Sequence, residues 1–170
     1  MDTSTFNRMI GRVLTLALVL GLSIDAKSQQ VEVAELDKQI TQLTEEEGEE
    51  LRSLYYDSNA SVFYRSDKSE PIQVGKGRTK VIHVDATRLP VLSNVDGPFV
   101  SMVVINFASV GANGSYSISA HDLANFPLLK FVVFVANGDA VAERLARSSV
   151  KDLTGDESYS ILYKSVIQAN

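Results

Sequence analysis

The chain has 170 residues, a net charge of −5 at pH 7 and no cysteine. This length suits a single domain, and the acidic balance argues against nucleic acid as a partner. Without cysteine there are no disulfide bonds, no thiolate metal ligands and no thioether-linked lipid. The fold must therefore be held together by its hydrophobic core.

The first element in chain order has the pattern of an export signal. Residues 13–24 are almost wholly apolar, follow Arg8 and Arg12, and precede Ala26-Lys27-Ser28. A basic flank, a short apolar core and small residues before a cut are the three parts of a secretory signal peptide. As a helix the apolar run would be about 18 Å long, too short for a hydrocarbon core of about 30 Å. We therefore expect residues 1–28 to be a cleavable signal peptide and the remainder to be a soluble, secreted or periplasmic protein with no membrane anchor.

Residues 29–56 are predicted to be an N-terminal helical segment. Apolar residues at spacings of three, four and eight share one helix face: Val33, Leu36, Ile40, Leu43, Leu51 and Leu54. Glu47 interrupts this stripe, and Thr44 with Glu47 matches a capping box at which a second helix can begin. The segment is therefore one long helix with a weak centre or two short helices. The interruption favours docking on the rest of the fold over a long coiled coil.

From residue 57 onward the pattern changes to strands, so residues 57–170 are expected to form a strand-rich globular domain. The candidate strands are rich in Val, Ile, Phe and Tyr: Ser61–Tyr64, Thr79–Ala86, Phe99–Ala108, Ser115–Ser119, Leu129–Ala136 and Ser158–Ala169. Two stretches, 99–107 and 129–135, are near-continuous apolar runs, which are typical of strands covered on both faces.

A further helix is predicted over Asp139–Ser149. Asp139 suits its N-terminal cap, and Val141, Ala142, Leu145 and Ala146 share one face. With a strand on either side, this helix completes a unit long enough for a parallel crossover. The expected fold class is α/β: a small, largely parallel or mixed sheet of four to six strands with flanking helices, preceded by the N-terminal helix.

One short stretch resembles the leucine-rich-repeat family. Leu123-x-x-Phe126-x-x-Leu129-x-Phe131 is similar to the family's L-x-x-L-x-x-L-x-L pattern, and the candidate strands begin about 20 to 30 residues apart. The resemblance covers residues 123–131, and Phe134 stands where the family has Asn. It implies stacked strand repeats of a degenerate kind. An ordinary strand approached by a short helical turn gives the same spacing.

One pair of residues is a candidate for catalysis. His83 and Asp85 point to the same face of strand Thr79–Ala86, about 6.6 Å apart along the chain. Such a pair can be the base and the orienting carboxylate of a hydrolase, or the start of a metal site, but both need a third group. The only other histidine is His121, so the chain is short of the ligands that zinc uses. We expect neither a metal nor a cofactor.

Two other features carry alternative interpretations. The aromatic cluster Tyr55, Tyr56, Phe63 and Tyr64 lies between the helical segment and the strands. It forms the core beneath a docked helix or an exposed recognition platform. The basic turn Gly75–Lys80 is a soluble connection or a local positive site for an anionic ligand.

The leading expectation is a non-enzymatic exported module that binds a protein or a surface glycan, or that has a structural role. It depends on the export signal, the strand-rich body and the lack of a recognisable catalytic set. The alternative is a small extracytoplasmic hydrolase that uses His83 and Asp85 with an unidentified nucleophile. The two differ in whether this pair lines a concave site with a serine or a third acid within hydrogen-bond reach.

Overall fold

The structure is a computed structural model that describes residues 32–108, 116–150, 153 and 159–166. The expected signal peptide, residues 1–28, lies outside these described residues. The elements in chain order are β1 (Val33–Glu35), α1 (Leu36–Gln42), α2 (Glu45–Tyr56), β2 (Ser61–Tyr64), β3 (Ile72–Val74), β4 (Val81–Asp85), a 3-10 helix (Ala86–Asn94), β5 (Met102–Asn106), α3 (Ala120–Leu123), β6 (Phe131–Asn137), α4 (Asp139–Ser149) and β7 (Ser160–Val166). No helix in these ranges has the length and apolar character that a membrane crossing requires.

Within the described ranges, seven strands form one mixed sheet in the order β1-β7-β6-β5-β4-β2-β3. Every neighbouring pair is parallel except β2 with β3, which is antiparallel. Strands β4, β5, β6 and β7 lie side by side in the sheet in chain order. The fold class is therefore α/β with a mostly parallel sheet flanked by helices, as expected.

The strand count in the described ranges exceeds the expected four to six because two strands are very short. β1 and β3 have three residues each and lie at the two edges of the sheet. Three residues are too few for an alternating or apolar run to stand out. The predicted strand Ser115–Ser119 is wrong in its described part, since residues 116–119 are irregular. There the backbone N–H and the hydroxyl of Ser119 both donate to the Asp122 carboxylate, which caps α3.

Segment 29–56 contains β1 and two helices in its described part. Thr44 marks the break: its hydroxyl accepts the Glu47 N–H at 3.4 Å and donates to the Glu47 carboxylate at 2.8 Å, so α2 begins where the capping pattern predicts. The two helices approach closely at Gly48. A Cβ atom there would lie 2.7 Å from the carbonyl oxygen of Ile40, so only glycine fits without a shift of the backbone.

Buried residues cover both faces of the sheet, which explains the near-continuous apolar runs. On the crossover face, α3, α4 and the 3-10 helix pack on side chains such as Ile82, Ile105 and Phe134. On the opposite face, which we call the groove face, Leu51 of α2 packs in a cluster with Val133 and other strand residues. The helical segment is thus docked on the sheet and is not a free arm.

Polar contacts hold α1 and α2 in place on the groove face. Lys130, before β6, donates to both carboxylate oxygens of Glu50 at 2.7 and 2.8 Å. Asp37 of α1 accepts hydrogen bonds from Lys164 of β7 and from the Tyr56 hydroxyl, and these two bonds lower the pKa of Asp37. Burial lowers the pKa of Lys164, but the bonds to Asp37 and Tyr56 outweigh it and raise that pKa to about 12.

Candidate functional site

The groove face is open at the carboxyl ends of β2, β4 and β5, beside the last turn of α2. A groove of about 750 Å³ lies there. Its lining residues are Tyr55, Phe63, Tyr64, Arg65, Ser66, Asp67, His83, Asp85, Val104, Asn106, Ala108, Val135 and Val166. Ligands of open α/β sheets bind outside the carboxyl ends of the strands, so the position suits a binding site.

His83 lies in the wall of this groove, and its ring stacks on Phe63. The two residues are paired across β2 and β4, with ring centroids 4.3 Å apart and ring planes 3° apart. Burial lowers the pKa of His83 from its ordinary value of 6.5 to about 4. The imidazole is therefore neutral at pH 7, and a base with so low a pKa takes up a proton weakly.

Asp85 ends β4 two residues later and faces the same side. Its Oδ2 atom accepts the Ser66 backbone N–H at 2.7 Å and the Ser66 hydroxyl at 2.9 Å. Its Oδ1 atom has one long contact, 3.5 Å from Asn106 Nδ2. The residue is only 9% exposed. Asn106 is itself oriented by the Ala108 N–H, which donates to Asn106 Oδ1 at 2.9 Å.

The groove brings His83 and Asp85 together on one wall, but within the described part of the chain no hydrogen bond joins them. A serine is within reach, as the hydrolase hypothesis requires, but Ser66 bonds to Asp85 and not to His83. In a serine triad the base stands between the nucleophile and the carboxylate. The arrangement seen here is a serine–carboxylate–amide chain with the histidine beside it.

Four polar residues of the groove lining were not identified from the sequence, and two of them contact Asp85: the four are Arg65, Ser66, Asp67 and Asn106. Asn106 had a usable signal, because it is a polar residue at the end of the apolar run of β5, where site residues of parallel sheets occur. Ser66 follows β2 in a loop and has no such signal. It reaches Asp85 because β2 pairs directly with β4, although β3 lies between these two strands in the sequence.

The aromatic cluster divides between several places. Tyr55 and Phe63 contribute to the groove, and burial raises the pKa of Tyr55 to about 12. Tyr56 is half exposed and binds Asp37. Tyr64 also borders the groove, but it pairs with Val84 of β4 and packs against the core of the crossover face. The cluster is thus partly core and partly groove wall.

The remaining candidates lie elsewhere. His121 is exposed in the short helix α3. In the basic turn, the Arg78 guanidinium lies 4.2 Å from the centre of the Phe99 ring. One of the positive charges of the turn is therefore engaged in a cation–π contact. Across the described ranges no three histidine or acidic side chains are grouped so as to hold a metal ion.

Comparison with known proteins yields no relative for the chain. No protein-family model, no curated protein and no solved structure matches it.

Proposed function

We propose that the chain is an exported, non-enzymatic binding module whose ligand lies in the groove at the carboxyl ends of β2, β4 and β5. The observation that carries the proposal is the composition of this groove. Its floor includes the apolar side chains of Val104 and Val135, and its lining also carries polar groups, among which Asp85 Oδ1 and Asn106 Nδ2 lie 3.5 Å apart. Small-molecule and side-chain sites typically combine an apolar lining with a few fixed polar groups.

Export is part of the proposal and is supported by the sequence pattern over residues 1–28. The partner class remains a protein or a surface glycan met outside the cytoplasm, in the periplasm or the medium. Intact-mass measurement of the exported form checks this step. A mass that corresponds to a chain beginning at Gln29 supports export with cleavage, whereas a product that retains residues 13–24 contradicts it.

Binding is favoured over hydrolysis by the state of the two candidate catalytic residues. A general base works best with a pKa near the working pH, and His83 is far below neutrality. The Asp85 carboxylate is bound to Ser66 and does not orient the imidazole. The parts of an acid–base pair are present, but they are not connected.

One observation favours the hydrolase as a second candidate. The Ser66 hydroxyl donates to a buried carboxylate at 2.9 Å inside a groove. A hydroxyl held by a base is the minimal form of an activated nucleophile. In this version Ser66 and Asp85 would be nucleophile and base, and His83 would be part of the wall.

The test is a ligand screen on residues 29–170 by ligand-observed NMR, with panels of glycans, short peptides and small polar molecules. Phe63→Ala removes a ring from the groove, and Phe99→Ala removes an exposed ring outside the groove lining as the matched control. We expect at least tenfold weaker binding for Phe63→Ala and no change for Phe99→Ala. Melting curves show whether each variant is folded.

The same panels distinguish the second candidate. Turnover of a peptide, ester or glycan by the wild-type chain, abolished by Ser66→Ala in a folded variant, would replace the binding module with a hydrolase. Ligands that bind equally well after Phe63→Ala would show that the groove is not the site.

A further inference from the structure

Asp85 is a nearly buried carboxylate without a cationic partner. Among the residues that the structure describes, it contacts Ser66 and Asn106, and no lysine or arginine pairs with it. The arginine in the groove wall, Arg65, is bound to Asp67 at 3.0 Å. A carboxylate held away from water without a counter-ion is unfavourable, and a bound cation would relieve this cost.

The hydrogen bonds of Asp85 leave one direction open. Oδ2 already accepts two donors from Ser66, while Oδ1 has only the long contact with Asn106. A guanidinium group is best bound by two free carboxylate oxygens, whereas an ammonium group is a compact charge that needs one. The open oxygen therefore suits an ammonium group.

The rest of the groove suits an apolar stem attached to that charge. The sheet supplies an apolar floor in Val104, on the strand next to β4, and in Val135, one strand further, and the Phe63 ring on β2 contributes a wall. A straight alkyl chain can lie along such a floor, as lysine stems do on apolar surfaces. The net charge of −5 attracts cations from a distance as well.

We infer that the groove binds a primary ammonium group on an apolar stem, with Asp85 Oδ1 as its counter-ion. This inference rests on the proposed function, because it names the ligand class of the same groove. The shared chemistry has two sources: a free alkylamine, or the lysine side chain of a peptide or protein.

The test uses residues 29–170 at pH 7 in two-dimensional ¹H–¹⁵N NMR titrations. The probes are n-pentylamine for the free amine and Nα-acetyl-lysine N-methylamide for the peptide side chain, and 1-pentanol is the neutral isostere. We expect both cationic probes to shift the amide signals of Asp85 and Asn106. The alcohol should bind at least tenfold more weakly. The tighter of the two cationic probes identifies the source.

Two substitutions identify the counter-ion. Asp85→Asn should weaken the binding of the cationic probes at least tenfold, because the charge is lost while the shape is kept. Asp96→Asn, at an exposed position outside the groove lining, makes the same change in net charge and should alter binding less than twofold. The comparison of n-pentylamine with 1-pentanol on the unsubstituted chain keeps the test decisive if Asp85→Asn does not fold.

Equal binding of the alcohol, or unchanged affinity for the cationic probes in a folded Asp85→Asn variant, would overturn the inference while leaving the groove as a binding site. Cationic probes that leave the groove signals of the folded chain unmoved would also overturn it. The proposed function is decided separately, by the ligand screen with Phe63→Ala.

Discussion

Protonation of His83 is expected to destabilise the fold, and its pH dependence can be calculated from the structure. The pKa of His83 is about 4 in the folded chain because the ring is largely buried, stacked on Phe63. In the unfolded chain the ordinary value of 6.5 applies. As the pH falls, the unfolded chain takes up the proton first, so unfolding becomes easier. The contribution of the neutral His83 to the free energy of unfolding is complete above pH 6.5 and is lost as the pH falls from 6.5 to 4. Below pH 4 it changes no further.

The size of this loss follows from the two pKa values. Each pH unit between them corresponds to about 1.4 kcal/mol, which gives a loss of roughly 3 kcal/mol in the free energy of unfolding. This is an upper value, because the ring is partly accessible and water stabilises its charged form. For a domain whose total stability is about 5–15 kcal/mol, the loss is easily measured.

The assay is urea unfolding of residues 29–170 at several pH values from 7.5 to 4. His83→Gln removes the titration and keeps a neutral polar side chain, and His121→Gln makes the same change at an exposed position. We expect the wild type and His121→Gln to lose up to about 3 kcal/mol more of their free energy of unfolding than His83→Gln over this range. Carboxylates titrate in all three proteins, so the difference isolates the imidazole. Parallel pH profiles for the wild type and His83→Gln would refute the buried, neutral histidine, and the argument against His83 as a base would fail with it.

Two predictions concern the helices on the groove face. Leu51→Ala should lower the free energy of unfolding by about 2–5 kcal/mol, because Leu51 is fully buried against the sheet. Leu128→Ala, at a half-exposed position, should change it by about 0.5 kcal/mol or less. Equal effects of the two substitutions in urea unfolding would contradict the docking of α2. Gly48→Ala should lower the free energy of unfolding by about 1–2 kcal/mol, because the new Cβ would lie 2.7 Å from the Ile40 carbonyl oxygen. This cost should outweigh the gain of about 1 kcal/mol in helix propensity. A more stable variant would mean that α1 can move away from α2 at little cost.

The parts of the fold that the sequence predicts well are those with strong local signals. The helix Asp139–Ser149 and the strand Ser61–Tyr64 have the predicted bounds, since each combines a clear period with turn residues beside it. The edge strand β3 was missed because three exposed residues leave no pattern in the sequence. Its existence depends on pairing with β2, which is a tertiary contact.

The part of the site that could be predicted is the part that follows from the alternation of side chains along β4. The two-residue period places His83 and Asp85 on one face, and they do line one groove. The sequence does not reveal that Phe63 stacks on the His83 imidazole or that Ser66 donates hydrogen bonds to the Asp85 carboxylate. Both contacts depend on the register of β2 against β4. These two contacts, which come from distant parts of the chain, decide how the pair can act.

The groove has its origin in the way the chain is wound. The helices in the connections between β4 and β7 pack on the crossover face, so the opposite face is left to the two short helices α1 and α2. Asp85 is the last residue of β4, and the 3-10 helix that follows it at once turns to the crossover face. The Asp85 side chain stays on the groove face, where the described residues that line the groove with it include Tyr55 at the end of α2, Ser66 in its loop and Asn106. In the described part of the chain, Asp85 is still 9% exposed at this position. It must bind a neighbouring loop, water or a ligand, and the bonds from Ser66 use only one of its two oxygens.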